Sequence, residues 1–291
     1  MAKFLVTGAN GQVGHCLVKQ LQAKGADVLG VDRDQLDITD KTAVENCFKF
    51  YQPDVVINAA AHTSVDRAEN EVALSEAINV QGPRYLAEAA CKQGAMILHI
   101  STDYVFDGEG THAYKENDAT APQGVYGRTK LAGEQAVLAA NPKAIVLRTA
   151  WVFGKHGNNF VKTMLRLGKE RDTLGVVSDQ FGGPTYAGDI AAALIEIAEQ
   201  LLRGSSAYGV YHFTGYPYVS WYEFAEAIFA QAEKANILEK RPQVNPIKTS
   251  DYPTPAKRPA NSRLDLSKIQ AVFGIQPSDW QAALNHIQAY L

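Results

Sequence analysis

The chain has 291 residues, of which 46% are hydrophobic and 20% charged, and its formal net charge is -3. This length and composition predict a globular protein with a buried core, in one large domain or two unequal ones. The slightly negative charge predicts no nucleic-acid partner and no affinity for an anionic membrane, because both require a basic surface.

Short apolar runs alternate with longer helical patterns in the first half of the chain. The predicted strands lie at 4–7, 28–32, 55–60, 96–101 and 144–149, and the first two predicted helices lie at 12–23 and 41–51. Such alternation predicts right-handed βαβ units and a parallel sheet. The apolar runs are nearly continuous, which is typical of strands that are buried on both faces. We therefore predict an α/β fold with a Rossmann-type, doubly wound parallel sheet.

The pattern changes near residue 150, where Gly, Pro and aromatic residues become more frequent. The segment 251–263 is predicted to be an ordered loop, because each of its three prolines removes a backbone donor. We predict that residues 1–150, with later returning segments, form an NAD(P)-binding Rossmann domain. Residues 151–291 are predicted to form mainly a smaller, discontinuous substrate-binding lobe.

Neither a signal peptide nor a membrane span is predicted. The opening residues run directly into a folded pattern, which leaves no room for a signal peptide. No uncharged apolar run approaches the roughly 20 residues that are needed to cross a bilayer. The cysteines are odd in number and fall in helix-like stretches, as reduced thiols would: Cys16, Cys47 and Cys91. We therefore expect a cytoplasmic protein without a membrane partner.

A glycine-rich turn follows the first predicted strand. In TGANGQVG, at 7–14, the residues Gly8, Gly11 and Gly14 stand between that strand and the start of a helix. Glycines here permit a tight turn, a close approach of backbone N–H groups to a pyrophosphate, and close helix–strand packing. The spacing GxxGxxG is typical of short-chain dehydrogenases. The pattern therefore favours a dinucleotide site, with a structural turn as the alternative.

Two adjacent residues leave the choice between NADH and NADPH open. Asp32 ends the second predicted strand, where an acid can bind the ribose hydroxyls and favour NADH. Arg33 could instead pair with the 2′-phosphate of NADPH. A solvated acid at a strand end is the alternative for Asp32. Asp37 and Ile38 lie where an adenine pocket is expected.

A tyrosine–lysine pair supplies the candidate acid. Tyr126 and Lys130, in YGRTK, are one turn apart on the same face of a predicted helix. A free tyrosine has a pKa of about 10, and a nearby ammonium group would lower it. Thr102, at the end of the fourth predicted strand, could donate a hydrogen bond to a substrate carbonyl or merely cap a turn. Asp103 could bind a sugar hydroxyl or cap the following loop.

Motifs along the whole chain resemble those of the dTDP-4-dehydrorhamnose reductase family. They are TGANGQVG, NAAAHTSVD, STDYVFDG, VYGRTKLAGE, RTAWVFG, NNFVKTML, DQFGGPT and YPTPAKRPANSRL. The resemblance implies an oxidoreductase that uses NADH or NADPH to reduce the 4-keto group of dTDP-4-dehydro-L-rhamnose, giving dTDP-L-rhamnose. A dTDP-sugar is then the expected substrate.

The resemblance also implies roles for individual residues. Tyr126 would be the proton donor, and Lys130 would hold the nicotinamide ribose and lower the pKa of the tyrosine. Thr102 would polarise the keto oxygen. The other residues of the implied cofactor site are Gly11, Gln12, Val13, Asp32, Asp37, Ile38, Ala61, His62 and Thr63.

Three further residues are implied for the substrate. Asp103 and Trp151 would contact the sugar, and Arg258 would bind the diphosphate, since a guanidinium fork matches phosphate oxygens. Some members of the family dimerise through a metal that is held by an acid just after the third glycine. This chain has His15 and Cys16 there, so no metal is expected. Both a monomer and a homodimer stay open.

Two related activities and one non-catalytic role compete with the reductase. A sugar-nucleotide dehydratase would need Asp-Glu after the threonine, whereas this chain has Thr102-Asp103-Tyr104, which argues against dehydration. The pattern says less against an epimerase. A regulatory subunit that binds NADP(H) without turnover is disfavoured, because the threonine, Tyr126 and Lys130 are all retained. Consumption of reduced cofactor with a keto-sugar nucleotide would distinguish these roles.

Overall fold

The structure is a computed structural model that describes residues 2–291. Its strands are β1 (Lys3–Thr7), β2 (Asp27–Val31), β3 (Val55–Asn58), β4 (Met96–Thr102), β5 (Ala144–Thr149), β6 (Val152–Phe153), β7 (Thr173–Val177), β8 (Phe181–Gly182), β9 (Thr185–Tyr186), β10 (Gly209–His212), β11 (Val219–Ser220), β12 (Gln243–Ile247) and β13 (Asn261–Ser262). One π-helical segment and three 3-10 turns accompany them, at Ala77–Gln81, Asp103–Val105, Thr249–Asp251 and Ile287–Tyr290.

The α-helices follow the strands that they cover. They are α1 (Gln12–Ala23), α2 (Lys41–Tyr51), α3 (Val65–Ala68), α4 (Val72–Glu76), α5 (Gly82–Lys92), α6 (Val125–Ala140), α7 (Phe160–Glu170), α8 (Ala187–Leu202), α9 (Trp221–Lys234), α10 (Ser267–Phe273) and α11 (Trp280–Leu284). The longest, α6 and α8, have 16 residues each. None of the helices within residues 2–291 has the length and apolar character that membrane crossing demands.

A six-stranded parallel sheet forms the centre of the fold, in the order β10-β5-β4-β3-β1-β2. Thr7, at the end of β1, lies beside Val31 of β2 on one side and Asn58 of β3 on the other. The strand order reverses between β1 and β3. At such a point the connections leave towards opposite faces and open a crevice at the carboxyl ends of the strands. The predicted α/β class with a Rossmann-type parallel sheet is confirmed.

The central strands are buried on both faces, which explains their continuous apolar runs. Along β1, Phe4 and Val6 pack into the core that contains α1, α8 and α10. Leu5 packs into the opposite core, with α2, α5 and α6. Burial of each such side chain contributes about 1.5–3 kcal/mol. The two layers hold the carboxyl edge of the sheet rigidly, and the site is built on that edge.

Another hydrophobic core, separate from the two that flank the sheet, lies in the second half of the chain. There α7 and α9 pack around Val161 and Phe229, against the paired strands β7 and β12. α9 begins at Ser220, which forms a reciprocal capping box with Glu223. β8 pairs with β11 and also with β13, which directly follows the proline-rich loop 253–260. These pairings hold that loop beside the carboxyl edge of the large sheet.

Candidate active site

The glycine-rich turn between β1 and α1 is packed so tightly that side chains would not fit. Gly8 has a φ of +68°, and a Cβ atom on it would lie 2.7 Å from the backbone nitrogen of Ala60. A Cβ atom on Gly14 would lie 2.0 Å from the Gly8 carbonyl oxygen. Gly11 caps α1, whose first residues are Gln12 and the buried Val13. The free N–H groups of this helix start can therefore receive a pyrophosphate.

A cavity of about 340 Å³ lies in the crevice between β1 and β3. Leu36, Leu74 and Ile78 give it apolar walls that suit a flat base. Its volume, its apolar walls and the adjoining glycine turn fit the adenosine half of a nicotinamide dinucleotide. The predicted cofactor residues among its lining are Gly8, Gly11, Asp32, Arg33, Asp37, Ile38 and Ala61.

The acid predicted to bind ribose also stabilises the glycine-rich turn. Asp32 accepts a 2.9 Å hydrogen bond from the backbone nitrogen of Asn10 and a 2.7 Å bond from that of Arg33. The Arg33 side chain itself is exposed at the rim of the cavity. Hydrogen bonds from the Thr39 side chain and backbone lower the pKa of Asp37. The hydrogen bonds of Asp32 therefore hold the glycine-rich turn in position before any ligand arrives.

The segment after β3 connects the glycine-rich side of the site to α6, the helix that carries Tyr126 and Lys130. The ring of His62 contacts Glu71 at 2.8 Å, so its imidazole is used in packing this segment. The His62 backbone nitrogen donates to Asn79 at 2.8 Å, and the Asn79 amide donates to Thr129 of α6 at 3.1 Å. Thr63, the next residue, is exposed. The π-helical segment that carries Asn79 therefore holds two functional segments together.

Thr102, Tyr126 and Lys130 meet at the carboxyl end of β4. Lys130 is buried, and its Nζ atom donates a 2.7 Å hydrogen bond to the Ile100 carbonyl of that strand. The Thr102 hydroxyl lies beside the Tyr126 hydroxyl and donates to the Asp103 carboxylate at 3.0 Å. Tyr126 is partly exposed. The Thr102 and Tyr126 hydroxyls therefore lie together, and Lys130 is held by the same strand two residues before Thr102.

Burial changes the pKa of each group at this point. It raises the pKa of Tyr126 to about 12, where the neighbouring Thr102 hydroxyl acts to lower it and the Asp103 carboxylate to raise it. The lowering predicted from Lys130 is not seen: loss of hydration is the largest effect, and the neighbouring groups that act on the phenol are Thr102 and Asp103. Burial lowers the pKa of Lys130 to about 8, against the Glu134 carboxylate, which raises it. Burial raises the pKa of Asp103 to about 6, against nearby hydroxyls that lower it. At neutral pH the phenol keeps its proton and most of the ammonium stays charged.

Comparison with known proteins shows the family. The sequence model of the RmlD substrate binding domain matches residues 2–291. The dTDP-4-dehydrorhamnose reductase of Aggregatibacter actinomycetemcomitans is 58% identical, over 100% of this chain and 99% of that protein. The chain belongs to the dTDP-4-dehydrorhamnose reductase family. The predicted family and the predicted class of enzyme, an oxidoreductase, are therefore confirmed.

Solved structures of dTDP-4-dehydrorhamnose reductases share the fold of this chain. One from Clostridium acetobutylicum is 43% identical, with a TM-score of 0.91 and coverage of 98% of both chains. One from Bacillus anthracis, in complex with NADP, is 38% identical, with a TM-score of 0.91. This match covers 100% of the present chain and 99% of the Bacillus anthracis chain. The similarity to this reductase family thus extends over the whole chain.

Two residues that the family resemblance implies for the sugar lie at the same edge of the sheet. Asp103 is buried, and its Oδ2 atom has no hydrogen-bond partner among residues 2–291, so it can accept from a ligand hydroxyl. Trp151 has a φ of +51°, and its ring stacks on Trp221 with centroids 3.6 Å apart. A Cβ atom on Gly182 would lie 2.7 Å from the Trp151 ring. One face of that indole is therefore already covered, and a sugar could pack only against the other.

The position where some members of the reductase family hold a metal has a packing role here. His15 stacks on His156, with ring centroids 4.2 Å apart, and the His156 ring hydrogen-bonds the Asn10 carbonyl at 2.8 Å. Burial raises the pKa of the Cys16 thiol. In the described part of the chain, no group of three His, Cys, Asp or Glu side chains could hold a metal ion.

Sequence reasoning missed three residues that position the site of this reductase. Asn79 joins the His62 backbone to α6, as described above. Glu69 accepts a 2.8 Å hydrogen bond from the backbone nitrogen of Val125 and so caps the helix that carries Tyr126. Asp66 contacts the proline-rich loop. Two of the three, Asp66 and Glu69, lie at the end of the motif NAAAHTSVD or just after it, so that motif was the available signal.

Proposed function

We propose that this chain reduces the 4-keto group of dTDP-4-dehydro-L-rhamnose to give dTDP-L-rhamnose, with NADPH or NADH as cofactor. The placement of Tyr126, Lys130 and Thr102 at the carboxyl end of β4, on the same edge of the sheet as the glycine-rich turn, carries the proposal. Membership of the reductase family, at 58% identity to a curated member, supports the choice of substrate.

The cofactor would lie along the carboxyl edge of the large sheet. N–H groups near Gly11 and Gln12 would hold the pyrophosphate, and the cavity beside Arg33 would hold the adenosine. Bound there, the dinucleotide supplies the hydride that the keto carbon receives. Lys130 donates one hydrogen bond to the Ile100 carbonyl, which leaves its remaining N–H groups to bind the nicotinamide ribose.

The chain's own groups would manage the proton. Tyr126, with a pKa of about 12, holds a proton that it can give to the sugar oxygen. The Thr102 hydroxyl would turn from Asp103 to the keto oxygen and stabilise the negative charge that develops there. The Lys130 ammonium would then stabilise the tyrosinate that remains. Arg258 would bind the diphosphate of the nucleotide.

The direct test is to mix the purified protein with dTDP-4-dehydro-L-rhamnose and NADPH or NADH, and follow the absorbance of the reduced cofactor. We expect rapid oxidation, with dTDP-L-rhamnose as the product. An epimerase would instead change the configuration of the sugar without net oxidation of the cofactor. Cofactor binding without oxidation, across a panel of keto-sugar nucleotides, would favour the regulatory subunit.

Catalysis is expected to decline as the pH rises through about 8. Lys130 loses its charge there, because burial lowers its pKa, and an uncharged amine cannot stabilise the tyrosinate. The measurement is kcat/KM against pH for the native enzyme and for Lys130→Arg. A guanidinium stays protonated in this range, so the alkaline decline should vanish in that variant even if its rate is lower. A decline at the same pH in both would assign it to another group.

Arg33→Ala is expected to raise the KM for NADPH about tenfold, and that for NADH by less than about twofold. Arg33 lies exposed at the rim of the cavity, where it would pair with the 2′-phosphate that NADH lacks. Arg203→Ala is the matched control, because Arg203 is an exposed arginine that pairs with Glu196 at the end of α8. Equal effects on both cofactors would show that Arg33 does not recognise the phosphate.

A further inference from the structure

The short helix α3 is hydrogen-bonded to the proline-rich loop 253–260, which lies far from it in the sequence. The Asp66 carboxylate accepts a 2.6 Å hydrogen bond from Nη2 of Arg258 and a 3.1 Å bond from the backbone nitrogen of Ala256. One carboxylate therefore holds both the side chain and the backbone of the loop 253–260. That loop contains three prolines, each without a backbone donor, so an outside acceptor for one of its remaining N–H groups helps to fix its position.

The contact with Asp66 orients the guanidinium of Arg258 but leaves one of its nitrogen donors without an acceptor. Its Nη1 atom is buried and lacks a hydrogen-bond partner within the described residues 2–291. Arg258 lines a cavity of about 450 Å³, together with Thr254 and Lys257. Lys257 is already paired with Glu109 at 2.6 Å. An anion bound against Arg258 in this cavity would therefore meet a guanidinium whose orientation is already fixed by Asp66.

We propose that Asp66 is a positioning residue for the diphosphate of the sugar nucleotide. It holds Arg258 through Nη2, so that Nη1 stays directed at the ligand. The inference rests on the proposed function, because it takes Arg258 as the diphosphate partner. Holding a long side chain before binding offsets the conformational entropy that the ligand would otherwise have to overcome.

The negative charge of Asp66 has an opposing effect, because it repels a diphosphate. Two observations decide which effect is larger. The carboxylate is 2.6 Å from the guanidinium, so the pair presents little net charge to a ligand further away. Arg258, in contrast, lines the cavity itself. Orientation of the donor therefore outweighs repulsion, and loss of Asp66 should weaken binding.

The same stretch of chain contacts the catalytic helix at a separate point. Glu69, three residues after Asp66, holds the N-terminus of α6 through Val125. The helix that carries Tyr126 therefore keeps its anchor when Asp66 is changed. An effect of Asp66 is expected on the binding of the sugar nucleotide, with kcat left nearly unchanged.

The test is calorimetric titration of dTDP into the enzyme saturated with NADP, for Asp66→Asn, Arg258→Ala and the double variant. We expect Asp66→Asn to weaken dTDP about tenfold and to raise the KM for the keto-sugar nucleotide similarly. The kcat and the KM for NADPH should stay within about twofold of the native values. In the Arg258→Ala background, Asp66→Asn should add less than about twofold, because its effect passes through that arginine.

Asp118→Asn is the matched control. Asp118 likewise accepts from a backbone nitrogen, that of Lys115, and contacts a basic side chain, the His112 ring at 3.3 Å, but it lies outside the cavity. It should leave dTDP binding unchanged. Native or tighter binding in Asp66→Asn would overturn the positioning role, as would a full effect in the Arg258→Ala background. Native binding in Arg258→Ala would instead overturn the diphosphate role of Arg258, so the two failures are distinguishable.

Discussion

Tyr126→Phe is expected to lower kcat by about 10²–10⁴-fold, the usual contribution of a positioned general acid. Phenylalanine keeps the ring and its edge-to-face contact with Tyr104, whose centroid is 5.4 Å away, but has no proton to donate. The Kd for NADPH should change by less than about threefold, because the glycine-rich turn and the adenosine cavity are untouched. Steady-state rates and a cofactor titration measure both quantities on one preparation.

The control for this variant is Tyr222→Phe, which removes the same hydroxyl from a partly buried tyrosine of α9. It should leave kcat within about twofold of the native value. Near-native turnover of Tyr126→Phe would contradict the assignment of the proton donor. A large loss of NADPH binding in Tyr126→Phe would show that the hydroxyl acts through the cofactor site instead.

The central fold was predictable because its signals are local. The predicted helices 12–23 and 41–51 coincide with α1 and α2. The N-cap of α2 is Asp40, whose side chain accepts hydrogen bonds from two backbone N–H groups. Its C-cap is Gln52, which has a left-handed backbone conformation. The two-residue strands β6, β8, β9, β11 and β13 were not predicted. Each exists only through pairing with distant segments, which a local pattern cannot report.

The candidate site likewise contains residues that local spacing predicts and contacts that only the completed fold creates. Tyr126 and Lys130 could be paired from sequence because helical spacing alone puts them on one face. The contact between Asp66 and Arg258 joins residues 192 positions apart, so it depends on the completed fold. The pKa of Tyr126 also escaped prediction. Spacing gives the neighbouring charge, whereas the loss of hydration that dominates depends on everything packed around the phenol.

A buried ion pair fixes α6, the helix that carries Tyr126 and Lys130, to the sheet. Arg148 of β5 donates to both carboxylate oxygens of Glu134, at 2.9 and 2.7 Å, and the two side chains are 4% and 2% exposed. Burial and the nearby Arg148 cation lower the pKa of His212 to about 3, so that ring stays neutral beside the pair. Glu134 lies one turn beyond Lys130 on α6. The pair therefore combines a structural role with closeness to Lys130, whose pKa the Glu134 carboxylate raises.

Arg148→Met is expected to lower the free energy of unfolding by about 3–5 kcal/mol, because it leaves the Glu134 carboxylate buried without a partner. Arg148→Met/Glu134→Gln should recover much of that loss, since no buried charge then remains uncompensated. Urea unfolding of the three proteins measures the difference. Arg166→Met, which breaks the exposed pair with Glu170, should cost less than about 1 kcal/mol. A similarly small cost for Arg148→Met would mean that water reaches Glu134, and the carboxylate would then have little influence on the charge of Lys130.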